Sequence, residues 1–221
     1  TVYVVRCGHD VRCAKVYKDA NNRNFRQAAL YQEGRTTRNS RQARAMEKGT
    51  RYGRKAQEDA WQSVEVDTLY RLAAAGVRVP RPYAFFQGGW RMEVLTDAEG
   101  NAAARLNDLV LSEELALAYH ATLIRQIVRM LCAGVIHGDL SEYNVLVDRD
   151  GPVIIDLPQA VNAAGNNGAA SMLQRDVDNI TTYFNRFAPA PASTQYGKEI
   201  GSLYERGACP RNVGLTVLVA A

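Results

Sequence analysis

One string constrains this chain more than any other feature. It is His137-Gly138-Asp139-Leu140-Ser141-Glu142-Tyr143-Asn144, followed by Ile154-Ile155-Asp156. Between the two parts, Val145-Leu146-Val147 and Val153-Ile154-Ile155 flank the turn formers Asp148-Arg149-Asp150-Gly151, which predicts a hairpin. That hairpin folds the chain back and brings Asp156 toward Asn144. Asp139 and Asn144 share one short loop. Phosphoryl transfer needs a carboxylate that orients a hydroxyl and takes its proton, oxygen ligands for Mg²⁺, and a cation for the phosphates.

The rest of the chain supplies a scaffold for such a loop. Thr1 to Val5 and Val11 to Tyr17 read as strands around a Cys7-Gly8-His9-Asp10 turn. Trp61, Val64, Thr68, Leu69 and Leu72 recur at helical spacing, so a helix is predicted from near Lys55 to Ala75, ended by Gly76, Pro80 and Pro82. Tyr83 to Phe86 and Trp90 to Leu95 read as two more strands. Ser112 is a helix N-cap followed by Glu113 and Glu114, and Leu117, Ala121, Ile124, Val128 and Leu131 form an apolar stripe, widened by Leu115, Leu123 and Ile127 and closed by Gly134. Arg175 to Phe187 and Lys198 to Arg206 look helical. This order predicts an α+β fold of two lobes, a small antiparallel sheet lobe over 1–95 and a helical lobe over 96–221.

Further parts of a phosphoryl-transfer site stand in matching order. The spacing H-x-D-x-x-x-x-N, then a strand ending in Asp, fits the catalytic-loop and metal-Asp pattern of protein-kinase-like enzymes. Lys15 in Arg12-Cys13-Ala14-Lys15 ends a strand, where those enzymes place their phosphate-binding lysine. Glu65 on the first long helix is its ion-pair partner. Met92-Glu93-Val94-Leu95 ends a strand between the lobes, where backbone groups could hold adenine. His137 is expected to support the loop by hydrogen bonding, His9 to sit in a turn and His120 to lie on the helix surface or pack.

Composition narrows the partners. Apolar residues make up 47% and charged residues 23%, which fits a globular chain and excludes a long disordered one. Residues 19–60 carry ten Lys/Arg against five Asp/Glu, so the whole excess of a +4 chain sits in one stretch. A basic insertion over 19–55 points to a polyanion such as RNA or to a solvated loop. Cys7, Cys13, Cys132 and Cys209 form no C-x-x-C pair, which predicts reduced thiols and a cytoplasmic setting. No apolar run approaches the roughly 18 residues of a membrane span, so no membrane partner is expected. The chain opens on a strand without Met, so further residues are expected before Thr1.

The string from Val135 to Asp148 with Ile154 to Gln159 resembles the RIO family of atypical serine protein kinases, nearest its first subfamily and bacterial relatives. The likeness continues through Trp61 to Leu72, Ala75 to Pro80, Arg175 to Ile180 with Tyr183-Phe184, and Tyr196 to Ile200 with Leu203-Tyr204-Glu205. It implies a two-lobed kinase-like fold of the truncated type without an activation segment, and no A-P-E element follows Asp156. It implies ATP with Mg²⁺ or Mn²⁺. Asp139 would be the catalytic base, Asn144 and Asp156 the metal ligands, Lys15 the phosphate contact held by Glu65, Met92 the gatekeeper, and Glu93 and Leu95 the hinge. It further implies autophosphorylation on serine, or ATP hydrolysis through a phosphoaspartate at Asp156, in small-ribosomal-subunit maturation. Two departures stand out. The family's phosphate-covering loop would precede Thr1, and Cys13 stands where the family has Ala.

Two other functions remain open to the sequence. Aminoglycoside- and choline-kinase-type phosphotransferases share the H-G-D-x-x-x-x-N loop, but Ser141-Glu142-Tyr143 and Pro158-Gln159 differ from their usual pattern. A nucleotide-regulated RNA- or ribosome-binding module would use the basic residues 23–55, where only Phe25, Tyr31 and Tyr52 offer stacking surfaces. Thr36, Thr37 and Ser40 in that stretch are candidate autophosphorylation sites.

Overall fold

A computed structural model describes residues 1–16, 64–86, 89–188 and 200–202. The basic insertion, its candidate phosphorylation sites and most of the final helix lie outside the described residues.

β1 (Val2–Cys7) and β2 (Asp10–Val16) form the expected hairpin, with Cys7 opposite Asp10 and Gly8-His9 as the turn. A helix, α1, occupies 64–74 of the described residues. β3 (Pro82–Phe86) and β4 (Gly89–Met92) complete an antiparallel sheet of order β1-β2-β4-β3. Gly89 lets β4 approach β2 closely, since a Cβ there would lie 2.4 Å from the Lys15 carbonyl oxygen.

The expected strand to Leu95 stops at Met92. Beyond it the backbone finds other partners. Glu93 N–H donates to the Arg81 carbonyl at 2.9 Å, and the Leu95 carbonyl accepts from Ala103 N–H at 2.9 Å. The chain therefore leaves the sheet at Glu93.

β5 (Ala104–Arg105) joins β7 (Val145–Asp148) and β8 (Gly151–Ile154) in a second antiparallel sheet, and β6 (Val135–Ile136) pairs with β9 (Val161–Asn162). The β7–β8 hairpin turns through Arg149-Asp150, as its turn chemistry predicts. Two helices pack beside these sheets, α2 (Glu113–Cys132) and α3 (Ala169–Phe184). Ser112 Oγ accepts from Leu115 N–H at 3.3 Å, a cap worth about 1 kcal/mol.

The apolar stripe of α2 is buried as expected at Leu123, Ile124, Ile127, Val128 and Leu131 and departs from its expected line near the start of the helix. Leu117 is 47% exposed, while Ala116, His120, Leu123 and Ile127 are buried. His120 packs inward, with Nε2 3.1 Å from Thr181 Oγ1 and its ring tilted against Phe184. α3 starts at Ala169, ahead of the expected Arg175, and ends at Phe184. Gly168 caps it without a side-chain hydrogen bond, so no capping residue marks its start. Cys132 is disulfide-bonded, which corrects the expectation of reduced thiols at that position, whereas Cys7 and Cys13 are free.

Arg78, between α1 and β3, fastens this region to the second sheet. Its Nη2 donates to both Asp148 carboxylate oxygens at 2.7 Å, and its Nη1 donates to the Asp150 carbonyl at 2.5 Å. Its own N–H donates to Gln126 Oε1 of α2, and its carbonyl accepts from Ile154 N–H. Arg78→Met keeps the backbone bonds and removes the charged ones. We expect it to cost about 2 kcal/mol, read as a lower denaturant midpoint at unchanged slope; an unmoved midpoint would show that the clasp contributes nothing.

Candidate active site

A cavity of about 450 Å³ opens between the first sheet and the segment Asn144–Leu157. Lys15, Glu65, Met92, Glu93, Leu95, Asn144 and Asp156 all line it, so seven of the eight candidate residues meet in one place. Val2, Val4, Cys13 and Leu146 add apolar wall. Asp139 is not among the lining residues. It is exposed in the adjoining loop.

Strand alternation puts Cys13 and Lys15 on the same face of β2. Lys15 Nζ donates to Glu65 Oε1 at 2.5 Å and to Asp156 Oδ1 at 2.8 Å. Glu65 comes from α1 and is 2% exposed. Burial pulls the Lys15 ammonium down, but Glu65 and Asp156 outweigh it and raise its pKa, so Lys15 stays charged. Burial likewise pushes the Asp156 carboxyl up, and Lys15 overrides this and holds it below the ordinary carboxylate value. Asp156 has φ +66°, in the left-handed region. Such a conformation costs an ordinary residue about 1–2 kcal/mol, and asparagine and aspartate tolerate it best.

The loop is assembled by hydrogen bonds from three directions. Asn144 Nδ2 donates to the Asp139 carbonyl at 2.8 Å, and Ile155 N–H donates to the Asn144 carbonyl at 3.0 Å. These bonds tie Asp139, Asn144 and the approach to Asp156 together. Asp139 N–H donates to His137 Nδ1 at 3.3 Å, so Nδ1 is the acceptor nitrogen. Nε2 therefore carries the proton and donates to the Ile155 carbonyl at 3.0 Å. His137 is 1% exposed and has the supporting part expected of it.

The third direction is α3. Asp176, 2% exposed, accepts from Gly138 N–H at 2.8 Å and from Leu140 N–H at 2.9 Å. Arg175 Nη2 donates to the Gly138 carbonyl, and Asn179 Nδ2 to the Leu140 carbonyl at 3.0 Å. Gly138 itself has φ +81°, which a residue with a Cβ adopts only under strain.

Arg175, Asn179 and three further residues of this site carried no role in the sequence reading. Asp176 stands in the Arg175 to Ile180 string, but nothing in that string says its carboxylate turns inward. Gln159, whose Nε2 lies 3.5 Å from Asp139 Oδ2, follows Asp156 in the quoted motif. Arg105 lines the cavity and is flanked by Ala104 and Leu106, with no motif to mark it.

The oxygen donors on offer are Asn144 Oδ1 and the Asp156 carboxylate. No group of three or more His, Cys, Asp or Glu that could hold a metal occurs among the described residues. One carboxylate with one amide oxygen suits Mg²⁺ or Mn²⁺, which take further ligands from phosphate and water. The Glu93 carbonyl and Leu95 N–H have no backbone hydrogen-bond partner among the described residues, and both residues line the cavity.

A lysine tied to a helix glutamate, facing an aspartate at a strand end, is the arrangement of kinase-type domains. The chain belongs to the RIO family: the RIO domain model matches residues 1–196. It is 40% identical over 128 residues to the RIO-type serine/threonine-protein kinase Rio1 of Haloferax volcanii, covering 58% of this chain and 42% of that protein. It is 32% identical over 128 residues to the serine/threonine-protein kinase rio1 of Schizosaccharomyces pombe, covering 57% of this chain and 25% of that protein. It is also 32% identical over 126 residues to the RIO-type serine/threonine-protein kinase Rio1 of Thermoplasma acidophilum, covering 57% of this chain and 64% of that protein. The matches thus span less than two thirds of each of these relatives. No helix among the described residues is long and apolar enough to cross a membrane.

Proposed function

We propose that this chain is an ATP-dependent serine/threonine protein kinase of RIO type, working as two lobes over 1–95 and 96–221. One observation carries the reading. Lys15 joins Glu65 and Asp156 inside a cavity that Asn144 and the segment from Met92 to Leu95 also line. Adenine would lie between Val2, Cys13 and Met92, against the free backbone groups of Glu93 and Leu95. Lys15 would hold the phosphates, with Glu65 fixing its position. Asn144 and Asp156 would hold Mg²⁺ or Mn²⁺, which offsets phosphate charge when bound.

Asp139 orients the acceptor serine and takes its hydroxyl proton as the oxygen attacks. The γ-phosphoryl group passes to that oxygen and ADP leaves. Asp139 stands exposed beside the cavity, where a protein segment can reach it. The acceptor is a serine of another protein or of this chain. The basic residues 23–55 would bring in an RNA or a small ribosomal subunit, and their surplus of positive charge supports this.

The test is incubation of the full chain with γ-labelled ATP and Mg²⁺, alone and with ribosomal subunits, followed by mapping of the label. We expect acid-stable label on serine. Alkali-labile, hydroxylamine-sensitive label on Asp156 would identify an ATPase working through a phosphoaspartate instead. Absence of any label or free phosphate would sink the reading.

A further inference from the structure

The charges around the cavity leave a deficit that one residue can fill. Two cations line it, Lys15 and Arg105, against three carboxylates, Glu65, Glu93 and Asp156. Lys15 is shared by Glu65 and Asp156. A lysine holding two carboxylates has little net charge left for a polyphosphate.

Arg105 differs in every respect. Among the described residues it makes no ion pair and no side-chain hydrogen bond. It sits on β5, opposite Leu146 of β7, and Leu146 lines the cavity as well. On one side Ala103, just ahead of β5, donates its N–H to the Leu95 carbonyl, at the proposed adenine end. On the other side its cross-strand partner Leu146 stands two residues beyond Asn144, at the proposed metal end, and both Leu146 and Asn144 line the same cavity. Arg105 therefore stands between the adenine end and the metal end, where a nucleotide carries its ribose and first phosphates.

We infer that Arg105 is a second phosphate-binding residue, a guanidinium that grips the nucleotide polyphosphate from the side opposite Lys15. This rests on the nucleotide reading of the cavity. A guanidinium suits the task because it offers several donors in one plane and keeps its charge at any working pH. Its freedom from a protein partner means that no ion pair must be broken for it to bind. Lys15, by contrast, is already held by Glu65 and by Asp156 Oδ1.

The experiment is calorimetric titration of the full chain with adenosine, AMP, ADP and ATP, each with Mg²⁺, for the wild type, Arg105→Ala and Arg105→Lys. We expect Arg105→Ala to weaken ADP and ATP about ten- to a hundredfold, the range for a lost charge-assisted contact. Adenosine affinity should change less than about twofold, and its retention shows that the variant is folded. Arg105→Lys should recover part of the loss, because it restores the charge without the fork. An ATP affinity in Arg105→Ala equal to wild type, with adenosine also unchanged, overturns the assignment of Arg105 alone. An equal loss for adenosine and ATP overturns the phosphate contact as well, since the residue would then serve base or fold. A wild type that binds none of the four ligands overturns the nucleotide cavity and this inference together.

Discussion

Replacing Asp139 by Ala should lower Mg²⁺-dependent phosphoryl transfer about 10²- to 10⁴-fold, the usual worth of a positioned general base. It should leave the fold and the nucleotide affinity almost untouched. The reason lies in how residue 139 is held. Both of its loop-forming hydrogen bonds are backbone bonds, from its N–H to His137 Nδ1 and from Asn144 Nδ2 to its carbonyl. Alanine keeps both. The carboxylate is exposed, has Gln159 as its one hydrogen-bond partner among the described residues, at 3.5 Å, and does not line the cavity. Stability should therefore stay within about 0.5 kcal/mol. Single-turnover kinetics with labelled ATP, alongside a denaturant titration, separate the two effects. A rate in Asp139→Ala equal to wild type would remove Asp139 from the chemistry.

The largest effect on folding should come from Asp176. Its two oxygens take the N–H groups of Gly138 and Leu140, and the site is almost wholly closed to water. Asp176→Ala leaves two buried donors without acceptors, at a cost of about 3 kcal/mol or more. The loop that carries Asp139 and Asn144 should loosen with it. A pH signature accompanies this. Burial pushes the Asp176 carboxyl above its ordinary value, against the pull of His137, the two N–H donors and Arg175. The native state then holds the proton more tightly than the unfolded chain, so stability falls as pH rises from the ordinary carboxylate pKa through the raised one. Above that window it is flat. Asp176→Asn has no proton to lose and should lack this fall. Denaturation of both forms across acid pH gives the difference directly, and parallel curves would refute it.

Local chemistry explains which parts of the fold could be seen in advance. The β7–β8 hairpin is written in turn formers between β-branched runs, and the start of α2 in Ser112 followed by two glutamates. Lys15, Glu65, Asn144 and Asp156 converge as their order implied, because each is tied to an element whose own pattern is strong. The misplaced features are those decided by distant partners. β4 ends near Met92 because, after the Glu93 N–H bond to Arg81 beside β3, the Leu95 carbonyl turns to Ala103. Leu117 faces outward because the first turns of α2 bury Ala116 and His120 instead, while Ile124, Val128 and Leu131 stay buried on the expected line. Asp176 looks like any polar helix residue until the loop across from it supplies two N–H groups. The disulfide at Cys132 has no spacing signal at all.

α3 has a consequence for spacing within the site. In its middle it grips the loop through Arg175, Asp176 and Asn179. Near its end Tyr183 donates its hydroxyl to the Leu106 carbonyl at 2.6 Å, one residue beyond Arg105. Between Asp176 and Tyr183 run about 10 Å of helix. That length is a fixed ruler between the Asp139 loop and the strand that carries Arg105. Adding one residue would turn Tyr183 by about 100° and lift it off Leu106. The register of a helix outside the cavity thus sets the gauge to which the two walls of the cavity are built.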